Sequence, residues 1–373
     1  MATDMTSGTG AGPGGDGVVG VVIVAFNSAD VIVDCVESLF AAPGQALRVV
    51  VVDNASPDDS VAALRAWAAG APHAPRPGSP LGAVPPAPRP GAVVERAAAT
   101  RGAAAEAAAG GLAPLTILGA PRNLGYAGAV NLGLAALAAD PAVELLWVLN
   151  PDCVVPAATI PALLAAQRAA GDFSIMGGRI IYHDTPGHIH ADGGRVRRWS
   201  GICESVNRGA RVAETPLPDP AGLDFIIGAH MVVSRAFLAR TGPMLDDYFL
   251  YYEEVDWACR RGDLPLALAP DAIVYHHGGT SIGTGQLDER PSGFANYFNY
   301  RNRMRFLRRF HPWRLPVAYA LNLARIAKSA RRDGRDQIAG ALAGLHGLPP
   351  PRFVTARIGP EAARQAFAGT AAE

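Results

Sequence analysis

The sequence predicts an α/β fold built on a mostly parallel sheet flanked by helices. Two observations carry this. GVVGVVIVAF (17–26) and LRVVVVD (47–53) are continuous β-branched runs, the composition of strands buried on both faces rather than one. Each is followed by a stretch of helical apolar spacing, and strand, helix, strand, helix in that order requires crossover connections, which are right-handed and join parallel strands.

Taken in order, the first strand ends at Asn27-Ser28, and DVIVDCVESLFAA carries the first helix. The second strand ends in Asp53. NASPDDSVAALRAWAAG then predicts a helix with Ser56 as its cap and Pro57 at its first position. Residues 71–113 interrupt the alternation. APHAPRPGSPLGAVPPAPRPG is rich in Pro and Gly, and ERAAATRGAAAEAAAGG in Ala, so the segment lacks the large apolar side chains that offset ordering entropy. It reads as a mobile insertion with a short helix near 94–109. A strand at 115–118, a glycine-rich turn and a helix follow, then the strand LLWVL (145–149), the turn NPD, a helix at 157–169 and a strand at 173–183. Residues 184–222 read as loops and hairpins, 222–242 as strand then helix, 248–262 as an aromatic approach to an acidic helix start, and 264–279 as a strand ending in two histidines. The remainder is helical and basic.

Composition narrows the function. The chain has 373 residues, 49% hydrophobic, enough for one large or two small domains. Lys+Arg and Asp+Glu are both 33, so no global charge points to nucleic acid. Lys328 is the sole lysine, which marks the arginines as a compositional bias. The four cysteines are scattered without a C-x-x-C pair, which argues against a zinc knuckle or redox dithiol and fits a reducing, cytoplasmic setting. Residues 1–17 read as a flexible tail without the features of a secretory signal, and no apolar run reaches the ~18 residues of a membrane helix.

Polar residues at successive strand ends, Asn27, Asp53, Asn123 and Asp152, point to a single site, because ligands of open α/β sheets bind at the carboxyl ends of strands. Each has a plainer reading. GYAGAVNLG (125–133) is either a backbone approach to a phosphate or a tight turn; its spacing is not that of a dinucleotide fingerprint or a Walker motif. Asp53 caps a helix or binds a nucleotide base or ribose. Asn150-Pro151-Asp152 is a turn or a degenerate Asp-x-Asp whose carboxylate holds a hard divalent cation. Glu253, Glu254 and Asp256 favour the positive end of a helix, or one of them is a base whose pKa the aromatic FLYY raises. His276 and His277 are structural or supply a metal ligand. His188-x-His190-x-Asp192 resembles a zinc motif, but no matching histidines follow and Gly193-Gly194 suggests a loop. Residues 301–335 hold eleven arginines and lysines among Trp313, Tyr319 and aliphatics, either a solvated face or a surface for anionic membrane and lipid phosphate.

In their order, the pieces VVIVAFNSADVIVDCVESL, VVDNASPDDS, NLGYAGAVNLGL, LLWVLNPDCVV, GAHMVVSRAFLARTG, FLYYEEVDWACRRG, VYHHGGTS and YFNYRNRMRFLRR resemble the inverting family 2 glycosyltransferases, of the bacterial rhamnosyltransferase-like branch. The resemblance runs from about 18 to 310 and implies a GT-A fold: a nucleotide-sugar half at 18–183, an acceptor half at 184–310, and a helical basic extension at 311–373. It also implies roles. Ala25, Phe26, Asn27 and Asp53 would line the nucleotide pocket, with Asn123 and Gly125 along the nucleotide. Asp152 would bind Mg²⁺ or Mn²⁺ on the diphosphate, with Asn150 in the first slot of the motif and His276 as a further ligand. Glu254 matches the family's base, Glu253 is its rival, and Asp256 and Trp257 would serve the acceptor site. The implied activity moves a sugar from a UDP- or dTDP-sugar, with dTDP-rhamnose favoured, to a glycan or lipid-linked glycan in cell-surface polysaccharide synthesis. Peripheral contact with the inner face of the plasma membrane through the basic region goes with it. The alternatives are a non-catalytic nucleotide-sugar or glycan-binding relative and a nicotinamide-dependent dehydrogenase. The absence of G-x-G-x-x-G after the first strand argues against the latter. The insertion at 71–113 departs from the family pattern, where this connection is short.

Overall fold

The computed structural model describes residues 17–42, 44–76, 78–81, 88–91, 93–278 and 290–367. Residues 1–16 of the expected tail, parts of the Pro-rich insertion and the GTS that closes VYHHGGTS lie outside them. The first part of the chain forms β1 (Val18–Ala25), α1 (Ile32–Phe40), β2 (Leu47–Asp53), α2 (Ser60–Ala68), β3 (Val94–Ala97), α3 (Arg101–Ala108), β4 (Leu115–Gly119), α4 (Gly125–Ala139), β5 (Val143–Leu149), β6 (Cys153–Val154) and α5 (Thr159–Ala170). The second forms β7 (Ile175–Tyr182), β8 (Ile189–Ala191), β9 (Gly194–Val196), β10 (Cys203–Ser205), β11 (His230–Val233), α6 (Arg235–Thr241), α7 (Glu253–Cys259) and β12 (Ala267–His276). Helices α8 (Gly293–Phe310), α9 (Leu315–Ser329), α10 (Arg335–Leu345), α11 (Arg352–Ile358) and α12 (Pro360–Ala366) complete it.

The α/β architecture is as the sequence predicts. Ten strands make one mostly parallel, mixed sheet in the order β3-β4-β2-β1-β5-β11-β7-β12-β6, with β8 beside β7. β11 runs antiparallel to both β5 and β7, so β7 and its parallel neighbour β12 point the same way as β1, β2, β4 and β5. The carboxyl ends of all these strands therefore meet along one edge.

Alternation along β1 explains its unbroken apolar run. Val22 and Val24 face α4, while Val21 and Ile23 join the core formed with α1, α2 and α5. Val21, Val22 and Ile23 are fully buried, each burial worth roughly 1.5–3 kcal/mol. A strand covered on both sides has no polar face to declare, which is why periodicity alone is silent and composition speaks.

Three local expectations differ from what is found. The second helix begins at Ser60 with Asp59 at its cap, not at Ser56-Pro57. The Ser56 hydroxyl instead accepts from the Asn27 amide at 2.9 Å, tying the β1 end to the β2 end. Within the insertion, 94–97 is an edge strand parallel to β4, and the helix is confined to Arg101–Ala108 behind a Thr100 cap. Edge pairing overrides the weak local propensity of VERA. Finally, 189–191 is the strand β8, antiparallel to β7, rather than loop.

Candidate active site

Asp152 and His276 are brought together by sheet register. β6 pairs antiparallel with β12, with Cys153 opposite His276. The neighbouring Asp152 carboxylate then lies 3.0 Å from His276 Nε2. Both residues are buried. Nε2 is buried, and this ion-pair contact with Asp152 is the partner it has. Burial opposes ionisation of Asp152, but His276 and then His277 outweigh it and hold the carboxyl below its usual range. An anionic oxygen and an imidazole nitrogen at one spot fit a hard or borderline divalent cation. Cys153 Sγ lies within the same group of atoms. Burial, then the charge of Asp152, raises its thiol well above the ordinary value, and a hard ion prefers the carboxylate oxygen to sulfur. Asn150 is half-buried at the end of β5, its amide donating to Ala229 O at 3.0 Å.

His190 completes this arrangement. Its Nδ1 meets His276 Nδ1 at 3.1 Å, one of the two nitrogens carrying the proton, and its ring stacks between Tyr182 and His276. Burial, then the charge of His276, lowers its pKa to about 3, so the ring is neutral near pH 7. This contact orients the His276 ring and leaves Nε2 for Asp152 and an ion, the role of an outer partner in metal sites. The sequence shows the histidine but not the role, since 86 positions separate the pair. A second set, His183, Asp184 and His277, sits alongside, its two rings stacked at 3.5 Å. The His277 amide donates to Asp152 O at 3.0 Å and steadies the Asp152 main chain.

The glycine-rich turn before α4 is held by asparagines. Asn54, which the sequence does not single out, donates through Nδ2 to Asn123 Oδ1 at 3.0 Å and to Gly125 O at 3.2 Å, and its Oδ1 accepts from the Leu124 amide at 2.8 Å. Asn123 Oδ1 also accepts from the Gly125 amide. Gly125 has φ +72°, and a Cβ there would lie 2.4 Å from Phe249 O. The glycine is thus explained by a close backbone approach and a left-handed conformation. Next to it, the Tyr126 amide donates to Phe249 O at 2.8 Å. This contact docks the loop ahead of α7 onto the sheet edge.

That loop is strained. Phe249, Tyr251 and Tyr252 all have positive φ, between 66° and 75°, where non-glycine residues are rare. One side chain holds it: Asn302 Nδ2, fully buried in α8, is shared among the carbonyls of Tyr248, Leu250 and Tyr251 at 2.7–3.0 Å. Arg303 and Gly201 anchor the Tyr252 hydroxyl. Asn302→Ala is expected to lower kcat by about 10²-fold through misplacement of the acids that follow. It should also lower stability by roughly 1–3 kcal/mol. A folded variant with unchanged kcat would detach this clamp from the chemistry.

The acids divide by burial. Glu253 is 2% exposed, and its Oε2 has no hydrogen-bond partner. Burial, then the charge of Glu254, raises its pKa well above the ordinary value. Glu254 keeps partial exposure, and burial raises its pKa from 4.5 to about 7 against two backbone hydrogen bonds that lower it. Burial, then the charge of Glu254, raises the Tyr126 phenol well above its ordinary value. Its hydroxyl donates to Gly228 O at 2.7 Å. Asp256 and Trp257 correct the sequence reading. Both are fully buried. Asp256 accepts from Tyr248 and Arg260 and pairs with Arg309, while Trp257 Nε1 donates to Gly242 O. They brace the helix from behind and touch no open space.

At the other end of the edge, Ala25 is fully buried, Phe26 half-buried and Asn27 exposed with φ 51°. Asp53 accepts from the Ser56 amide at 2.9 Å, and burial raises its pKa against that bond. It opens into a cavity of about 520 Å³ that Arg65 and Glu95 also line.

Residues 20–76 match the model of glycosyl transferase family 2. No curated protein sequence matches the chain. Among solved structures it is similar to a mannosyltransferase from Pyrobaculum calidifontis in complex with GDP-Man and Mn²⁺, at 16% identity over 95% of this chain and 87% of that one, TM-score 0.42. It is also similar to S. aureus TarS 1–349 in complex with UDP-GlcNAc, at 11% identity over 95% and 87%, TM-score 0.46. A third is GalNAc-T7 with UDP, GalNAc and Mn²⁺, at 12% identity over 70% and 44%, TM-score 0.43.

The family 2 stretch runs from β1 past α2 and contains Ala25, Phe26, Asn27 and Asp53. Asn123, Gly125, Asn150, Asp152, Glu253, Glu254 and His276 lie beyond it and join it through the shared strand-end edge and the Gly125–Phe249 contact.

Proposed function

We propose that the chain is an inverting family 2 glycosyltransferase of GT-A type. It transfers a sugar from a UDP- or dTDP-sugar, dTDP-rhamnose by resemblance, to a hydroxyl of a glycan or lipid-linked acceptor in cell-surface polysaccharide synthesis. One observation carries this reading: the strand-end edge holds a buried carboxylate–imidazole pair, Asp152 with His276, and the helix docked on it begins with a carboxyl whose pKa is raised to about 7. The family match at 20–76 supports it.

In this reading residues 18–183 hold the donor, 184–310 meet the acceptor, and 311–373 are a helical extension. Asp53 and the main chain at Ala25, Phe26 and Asn27 contact the nucleoside. Asn123 and Gly125 shape the turn rather than grip the phosphates. Asp152 and His276 hold Mg²⁺ or Mn²⁺, which when bound supplies charge neutralisation for the departing diphosphate. Asn150 stands beside them with a neutral amide. Glu254 accepts the proton of the acceptor hydroxyl as its oxygen attacks the anomeric carbon opposite the leaving diphosphate, so configuration inverts. Glu253, fully buried beside it, is the rival for this role.

No described helix is long and apolar enough to cross a membrane. Contact with the inner face of the plasma membrane would instead use Trp199 and Trp313, both more than half exposed and packed edge to face at 5.7 Å, with Arg314 over both rings. Aromatic rings beside cations suit a headgroup layer.

The test is release of nucleoside diphosphate from a panel of nucleotide sugars with Mn²⁺ and acceptor. Release that EDTA abolishes is expected. Donor binding without turnover across the panel would leave the non-catalytic relative in its place.

A further inference from the structure

A second, larger cavity of about 1420 Å³ lies between α4, α8, α9 and the end of α10. Asp53, Asp152, Glu254 and His276 do not line it. Six arginines do: Arg101, Arg122, Arg301, Arg305, Arg308 and Arg309. Only two acids, Asp246 and Asp247, answer them on its wall. Arg305 is taken by Asp247, and Arg309 reaches out to Asp256 at 3.2 Å.

Arg301 is the telling residue. It is 4% exposed, yet it lines the cavity. Its Nη1 donates to Asn302 Oδ1 at 2.9 Å, and its guanidinium lies 5.3 Å from the centre of the Phe367 ring. No carboxylate among the described residues pairs with it. Burial, then repulsion from Arg305, lowers its pKa to about 10. A buried cation without an anion is costly, and a fold retains one where an anion arrives from outside. The planar guanidinium fork matches the oxygens of a phosphate. The cavity is far larger than one phosphate, and Leu315 and Tyr319 give it an apolar wall on α9.

We propose that this cavity binds the phosphate or diphosphate group of an ester, with Arg301 and Arg122 gripping its oxygens and the esterified group lying against α9. The cavity reaches Asn123 at the turn before α4, but neither Asp152 nor Glu254 lines it, so its ligand response can be read apart from the transferase reading.

The experiment is thermal shift with inorganic pyrophosphate in EDTA, which disables any metal-dependent diphosphate site. Near 100 times Kd the protein should gain roughly 3–5 °C in Tm. Arg122→Glu, a partly exposed change, should abolish the shift. Arg301→Met should abolish it too; because that change also removes the donor to Asn302 Oδ1, the Arg122→Glu result is the deciding one. Asp152→Asn should retain the full shift. Flotation with vesicles of phosphatidylglycerol and phosphatidylcholine separates the sources. Binding that pyrophosphate competes away and Arg122→Glu abolishes identifies a lipid headgroup; a pyrophosphate shift without flotation identifies a soluble ester. A shift that survives Arg122→Glu, or no response to either probe, overturns the proposal.

Discussion

Glu254→Gln is expected to lower kcat by about 10²–10⁴-fold, the range of a lost general base, while the donor nucleotide binds as before. The amide keeps the shape of the side chain and cannot take a proton. The partly exposed position of Glu254, against the full burial of Glu253, supports Glu254 as this acid. The pH profile checks the assignment independently. With its pKa raised to about 7, Glu254 is a base only above that pH, so kcat should fall as pH drops through 7. Linkage predicts a companion effect on stability. A carboxyl whose pKa rises from 4.5 to about 7 on folding binds its proton more tightly when folded. It therefore favours the folded state most below 4.5, and that contribution is lost as pH rises toward 7. Glu254→Gln should accordingly be more heat-stable than the parent at pH 8. Full activity in Glu254→Gln would remove the base assignment, and loss of activity together with donor binding would mean that the site had been disrupted rather than the base removed.

Asp152→Asn is expected to weaken Mn²⁺ binding by about 10²–10³-fold, measured by calorimetry with the donor nucleotide present. Replacing the carboxylate by an amide removes a unit negative charge beside the ion; two unit charges about 4 Å apart are worth about 4 kcal/mol at an effective dielectric near 20, more against a divalent ion in contact, and solvent competition takes back most of it. Because Asn150 stands where a second carboxylate could, Asp152 is the one anionic ligand the strand end offers. Transfer should fall in parallel. Unchanged Mn²⁺ affinity would place the ion elsewhere.

The sheet was largely legible because strand identity is local. Unbroken Val-rich runs mark β1 and β2 to within a residue, and the polar strand ends Asn27, Asp53 and Asp152 could be listed from the chain alone. The insertion was less so: nothing in VERA declares an edge strand until β4 is there to pair with it. The pairing of Asp152 with His276, and of His276 with His190, was not legible as geometry. It depends on the register of β6 and β7 against β12 and of β8 against β7, and one residue of slip would turn each ring to the other face. Asn302 and Asn54 carry no signal at all, since a polar residue on a helix or at a strand end has many ordinary uses.

The acidic stretch Glu253–Trp257 marks the division most sharply. By itself the sequence determined that a helix begins there, in a run of acids behind aromatics, and that some of those acids must be solvated or used. The tertiary structure alone decided which. Helix α7 docks through the strained turn held by Asn302 and the bare backbone of Gly125, and this rotation leaves Glu254 partly open while sending Asp256 and Trp257 into the core. Which face of a seven-residue helix meets solvent is set by what it packs against, and those partners, Asn302 and Gly125, lie far from it on either side in the chain.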